Sequence, residues 1–176
     1  MRVKALKELF SKELIQERVE CIARRLNADY AGQDVVFVCV LKGAFMFFSD
    51  LVKHLDFHPE IDFVRLSSYG EGDASSGTVE FSKDVDVPLA GKHVVIVEDI
   101  VDTGNSMRFL RERFLERDVK SLRIVALVDK VERRSGPVQV DYSGFFLSSG
   151  FIVGYGLDYA EQYRELPSVY TVELEE

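Results

Sequence analysis

Apolar residues recur along the chain in distinct rhythms, and each rhythm names an element. Ile15, Val19, Ile22 and Leu26 fall at helical spacing behind Ser11, a residue type that caps helix N-termini, so the pattern predicts an N-terminal helix laid on a core. Val35 to Val40 is unbroken and rich in β-branched residues, and Val94 to Val97 and Leu122 to Val128 are similar. Such runs suit strands buried on both faces, and helical segments alternate with them. The expected fold class is therefore α/β, with a central, mostly parallel sheet flanked by helices. Met107, Leu110 and Phe114, at helical spacing among Arg108, Arg111, Glu112 and Arg113, place an amphipathic helix just after Val94 to Val97 and its polar turn. After Pro137 the apolar segments shorten to Val138–Tyr142, Phe145–Leu147 and Val169–Val172, with Gly and Ser between them. These are expected to form a small cap over the sheet together with the N-terminal arm. No repeat or linker divides the 176 residues, which fit one domain able to bury roughly two-thirds of its unfolded surface.

Candidate chemistry collects where the strands end. The run Val94 to Val97 empties into Glu98, Asp99, Ile100, Val101, Asp102, Thr103, Gly104, Asn105 and Ser106, which supply three carboxylates and a hydroxyl-rich turn ahead of a helix. Amides at a helix N-terminus and the positive end of its dipole suit a phosphate, and Gly104 lets the backbone come close to one. Thr103 and Ser106 add hydroxyl donors. Glu98 and Asp99 are placed to hold the two hydroxyls of a ribose or the water shell of a Mg²⁺. A single acid in such a turn is ordinarily no more than an N-cap; several acids beside an anion site make sense only with a sugar or a metal between them. Lys42, Glu98, Asp102 and Lys130 all fall at the carboxyl ends of predicted strands, the edge where α/β sheets gather ligands.

The segment Glu98 to Ser106 resembles the phosphoribosyl-diphosphate (PRPP) binding motif of type I phosphoribosyltransferases. Leu41-Lys42-Gly43, Ser67-Ser68-Tyr69-Gly70, Lys130 and Phe151-Ile152-Val153-Gly154-Tyr155-Gly156-Leu157-Asp158-Tyr159 follow in the order and spacing of the hypoxanthine-guanine members, from about Leu26 to Pro167. The resemblance implies a purine-salvage enzyme that transfers the 5-phosphoribosyl group from PRPP to hypoxanthine or guanine, giving IMP or GMP and diphosphate. It also implies a core from about 30 to 135 and a hood from about 1–29 and 136–176, all within one domain of 1–176.

The same resemblance distributes roles. Asp102 becomes the base toward the purine N7–H within a PRPP-binding run of Glu98 to Ser106. Lys42, Gly43 and Arg164 meet the diphosphate, and the Lys42 turn carries a cis peptide. Lys130 donates to the 6-oxo group, Phe151 stacks on the purine, and Ile152 offers main-chain groups to the base edge. Asp158 lies near the purine 2-position and holds a second Mg²⁺, the first being at Glu98 and Asp99. Ser68 and Tyr69 are lid residues over the diphosphate, in a segment from Ser67 to Gly77 too polar to bury itself and expected to be open in the free protein. Each has a plainer reading: Lys42 as a solvated lysine, Lys130 as a partner of Glu132, Phe151 as core, Asp158 as a turn acid, Arg164 as a surface ion pair. The chain also departs from the family, with Ser148-Ser149-Gly150 where relatives usually have Pro-Asp before the stacking aromatic. The preference among hypoxanthine, guanine and xanthine stays open.

Composition narrows the alternatives. A net charge of −8 argues against polymeric nucleic acid and anionic membrane surfaces, so the expected partners are small molecules and, by resemblance, further copies in a dimer or tetramer. Cys21 and Cys39 sit in apolar surroundings, as reduced thiols of a cytoplasmic protein do, and no apolar run reaches membrane-spanning length. His54 and His58 stand four apart but lack a third ligand, and neither a P-loop nor a Gly-x-Gly-x-x-Gly sequence occurs. A regulator that keeps the PRPP site, or an enzyme for another base such as xanthine or uracil, remains the alternative.

Overall fold

The computed structural model describes residues 3–69, 78–132, 134 and 136–175. Its frame is a six-stranded sheet, ordered β4-β3-β2-β5-β6-β7 and built from Thr78–Lys83, Glu60–Tyr69, Val35–Leu41, His93–Val101, Ser121–Lys130 and Tyr142–Leu147 respectively. All neighbours run parallel except β3 and β4, which form an antiparallel pair. The three continuous apolar runs are the three central strands. Burial on both faces is what demanded their unbroken hydrophobicity.

Helix α1 (Lys12–Tyr30) starts at Ser11, whose hydroxyl accepts from the Leu14 amide at 3.3 Å, and buries Ile15, Val19, Ile22 and Leu26. It packs with α2 (Phe45–Lys53) on one face of the sheet. Helix α3 (Asn105–Leu115) covers the other face with Met107, Leu110 and Phe114. Each face therefore has its own apolar layer. Cys39 lies in one of them, its thiol pushed up to about 12 by burial and therefore inert.

The hood is a three-stranded antiparallel sheet of β1 (Val3–Phe10), β9 (Val169–Leu174) and β8 (Ile152–Val153). Two expectations need correction here. The segment Phe145–Leu147, assigned to the cap, belongs to β7, which extends the main sheet beside β6. Tyr142 and Phe145 bury against the α1 layer, and Gly144 lets the strand approach so closely that a Cβ there would lie 2.7 Å from the Leu127 carbonyl oxygen. The hood also takes only β1 from the first 29 residues, because α1 packs on the main sheet with β7 and α2. The lid segment is described only in part. Ser67 to Tyr69 close β3, Tyr69 pairing in register with Thr78, while residues 70–77 and the side chains of Ser68 and Tyr69 lie outside the described residues.

Candidate active site

Strand β5 delivers its acids to a cavity of about 140 Å³ lined by Glu98 and the run from Ile100 to Met107. Gly104, at φ +80°, is the N-cap of α3 and brings no side-chain cap, so the first-turn amides open onto this cavity. Asp102, half-buried, stands at its wall. The loop expected to hold a ribose phosphate lines this cavity. Two larger hollows, of about 570 and 590 Å³, lie elsewhere along α3 and are lined by surface residues such as Arg111 and Arg123 or Arg113 and Arg117. Neither gathers the strand-end acids.

Glu98 and Asp99 are each only 8% exposed. Burial pushes both carboxyls above the ordinary range, Glu98 the further because Asp99 adds like charge beside it. Asp99 also meets the next strand end. A Cβ on Gly43 would sit 1.8 Å from Asp99 Oδ2, and a Cβ on Gly156, at φ +101°, would sit 2.1 Å from the Gly43 carbonyl oxygen. Only glycine fits at either position. The β5 acids, the turn after β2 and the loop after β8 are thereby stacked in contact. The peptide Leu41–Lys42 in that turn is cis.

The cations expected at a diphosphate converge on the same edge. Lys42 Nζ pairs with Glu161 Oε2 at 2.6 Å, and Arg164 donates to the Gly156 carbonyl at 2.7 Å while meeting Asp158 Oδ1 at 2.8 Å. Asp158 further accepts from the Glu161 amide at 2.9 Å. Among the described residues no three His, Cys, Asp or Glu side chains gather as a metal cage. Lys130, 7% exposed, donates to the Gly150 carbonyl at 2.6 Å, not to Glu132. Phe151 is not core: it is 46% exposed, its ring edge-on to Tyr159 at 5.5 Å. Ile152 is buried in β8 and pairs in register with Thr171.

Three side chains escaped the sequence reading. Arg134 binds Asp129, the Val101 carbonyl at 3.3 Å, the Lys130 carbonyl at 3.2 Å and the Val138 carbonyl at 2.8 Å, tying the ends of β5 and β6 together. A buried acid closing an apolar run, as Asp129 does, was the available signal that a cation must lie nearby. Tyr155 donates to Asp50 Oδ2 at 2.7 Å, fastening the loop after β8 to α2, and burial pushes its phenol up, with the Asp50 hydrogen bond adding to the effect. Asp50 on α2 reads in sequence as a solvated helix face. Glu161, the partner of Lys42, read only as a surface partner for Arg164.

The family described as phosphoribosyl transferase domain matches residues 5–160. The hypoxanthine-guanine phosphoribosyltransferase of Streptococcus thermophilus is 46% identical over 163 residues, 93% of this chain and 91% of its own. That of Bacillus subtilis is 43% identical over the same shares. A crystal structure of a hypoxanthine phosphoribosyltransferase from Staphylococcus aureus superposes with a TM-score of 0.92 at 41% identity, covering 97% of this chain and 92% of that one. A hypoxanthine-guanine phosphoribosyltransferase from Bacillus anthracis, with a HEPES molecule in its active site, gives 0.90 at 39% over 98% of both chains.

Proposed function

The chain belongs to the phosphoribosyltransferases, among the hypoxanthine-guanine enzymes, and from that premise we propose how its residues divide the transfer of the 5-phosphoribosyl group from PRPP to hypoxanthine or guanine. This is a purine-salvage reaction whose products are IMP or GMP and diphosphate. The observation that supports the assignment of roles is the stack of Asp99, Gly43 and Gly156, which joins the end of β5 to the turn that carries Lys42 and to the loop whose Gly156 carbonyl Arg164 binds. The 5′-phosphate sits on the first-turn amides of α3 with the Thr103 and Ser106 hydroxyls. Glu98 and Asp99 take the ribose hydroxyls, and Lys42, the Gly43 amide and Arg164 take the diphosphate, where a guanidinium fork suits two oxygens. Asp102 accepts the N7 proton as N9 attacks the anomeric carbon, forming the bond that IMP and GMP contain, while the bond from that carbon to the diphosphate oxygen breaks.

Lys130 selects the base. Its ammonium spends one of three donors on Gly150 and has two left for the 6-oxo group, whereas adenine offers a donor to a donor. Phe151 presents an exposed ring on which a purine can stack. Mg²⁺ keeps several waters and binds through one or two carboxylates plus substrate oxygens, which suits a buried pair at Glu98 and Asp99 and a single acid at Asp158 better than a closed cage would. Bound there, it supplies charge neutralisation to the departing diphosphate.

Two further readings complete the proposal. Cytoplasmic residence rests on the two free thiols of Cys21 and Cys39; among the described residues no helix is long and apolar enough to cross a membrane. A homo-oligomer rests on Phe45, Ile61 and Phe63, which expose 38%, 43% and 37% of their surface where α2 meets β3, Phe63 packing on Phe48 at 5.8 Å between ring centroids. The direct test is initial rates with hypoxanthine, guanine, xanthine and adenine, each with PRPP and Mg²⁺. IMP and GMP should form and AMP should not. No nucleoside monophosphate from any base would overturn the reading.

A further inference from the structure

Lys42 and Arg164 already hold an anion. Glu161 Oε2 lies 2.6 Å from Lys42 Nζ, and its other oxygen, Oε1, lies 3.5 Å from Arg164 Nη2. One carboxylate thus divides its two oxygens between the two cations assigned above to the diphosphate. Its backbone position is unusual as well. Tyr159 and Gln162 exchange backbone hydrogen bonds at 3.1 Å across a two-residue turn, and the residues at its tip, Ala160 and Glu161, have φ of +51° and +64°. Hairpin tips that need positive φ at both positions normally carry Asn, Asp or Gly. A glutamate placed there against local preference is held for what its side chain reaches. The Asp158 carboxylate secures it, accepting the Glu161 amide at 2.9 Å while meeting Arg164 at 2.8 Å.

We propose that Glu161 is an internal counter-anion of the diphosphate subsite, which PRPP must displace on entry and which recaptures Lys42 and Arg164 to help expel diphosphate after transfer. The proposal rests on the assignment of those two cations to the diphosphate. The charge arithmetic favours it. The diphosphate group carries more charge than one carboxylate and wins while bound, but the carboxylate is tethered and always at hand once the covalent link to ribose is broken. Product release is a common brake on turnover, and a built-in competitor loosens it.

The test is the Glu161→Gln variant of the full chain, assayed by calorimetric titration with diphosphate and Mg²⁺ and by diphosphate inhibition against PRPP. Glutamine keeps the length but removes the charge. Glu161 is well exposed, so the fold does not depend on it. Since an exposed ion pair is worth little, the expected change is roughly two- to fivefold tighter diphosphate binding, with the inhibition constant falling in step. Unchanged or weaker binding would overturn the proposal; weaker binding would make Glu161 a ligand of the diphosphate complex instead. Lys42→Met separates this from the underlying site assignment. If that variant weakens both PRPP and diphosphate binding, the subsite stands and Glu161→Gln judges the counter-anion alone. If it changes neither, the site assignment itself fails and the proposal with it.

Discussion

At the scale of single residues, Asp102 and Glu98 lie four positions apart and are tested by different readouts, turnover for the first and stability for the second. Asp102→Asn keeps the size and shape of the side chain but cannot take a proton. Turnover at saturating substrates should fall about 10²–10⁴-fold with PRPP binding retained, the usual reach of general acid–base catalysis. Glu98→Gln should act on stability. The Glu98 pKa is raised in the folded state by burial and by Asp99. Below the unfolded-state value of about 4.3 both states hold the proton; above it the unfolded chain ionises first, so stability falls as pH rises toward the folded-state value. The substrate-free enzyme should therefore lose thermal stability between mildly acidic and neutral pH. Glu98→Gln should flatten that slope and raise Tm at neutral pH, at about 2–4 °C per kcal/mol for a chain of this size. Scanning calorimetry of both proteins across that range checks the sign. Such a residue gives up stability for a sugar it has yet to meet.

At the scale of elements, the ends of β5 and β6 are joined by a side chain instead of by a ladder. Arg134→Met removes the guanidinium from Asp129 and leaves a buried acid with no cation, only the Ser143 hydroxyl at 3.4 Å, a loss that typically costs about 3–5 kcal/mol. Asp129→Asn added to it should recover a large part of that loss, and denaturant unfolding of the single and double variants measures the difference. What could be foreseen followed the same division. The three central strands, α1 with its Ser11 cap and α3 with its phosphate turn were legible because periodicity and capping are local signals. Strands β1 and β7 were not. Val3–Phe10 carries charge at Lys4, Lys7 and Glu8 without a two-residue period and becomes a strand only because β9 pairs with it, while Gly144 breaks the apolar run of β7. Likewise Lys42, Asp102 and Lys130 could be named from their places at strand ends. Arg134, Asp50 and Glu161 act across contacts that no local pattern encodes, as with the 119 positions between Lys42 and Glu161.

At the scale of the whole molecule, the exposed apolar residues Ile61 and Phe63 lie on β3 and Phe45 opens α2, only a few residues beyond Lys42 and Gly43. A second copy docked on that face would brace the turn of Lys42 and Gly43, proposed above to meet the diphosphate. Ile61→Asp should then shift the sedimentation profile from oligomer toward monomer and raise the Michaelis constant for PRPP, while a protein that sediments as a monomer before the change would remove the oligomer from the picture. The hood imposes a different kind of order on the molecule. Its β1 pairs along its length with β9, Val3 opposite Leu174 and Phe10 opposite Val169, so β1 leaves the ribosome well before the strand it pairs with. At ordinary rates of synthesis that interval is on the order of ten seconds. Through it the main sheet can assemble, yet β1 trails as an unpaired edge and β8 lacks the strand that fixes it. A ribosome stalled in the few codons before β9 would thus release a chain whose main sheet is complete and whose hood is not, and the cell's quality control would meet it as an open strand in search of a partner.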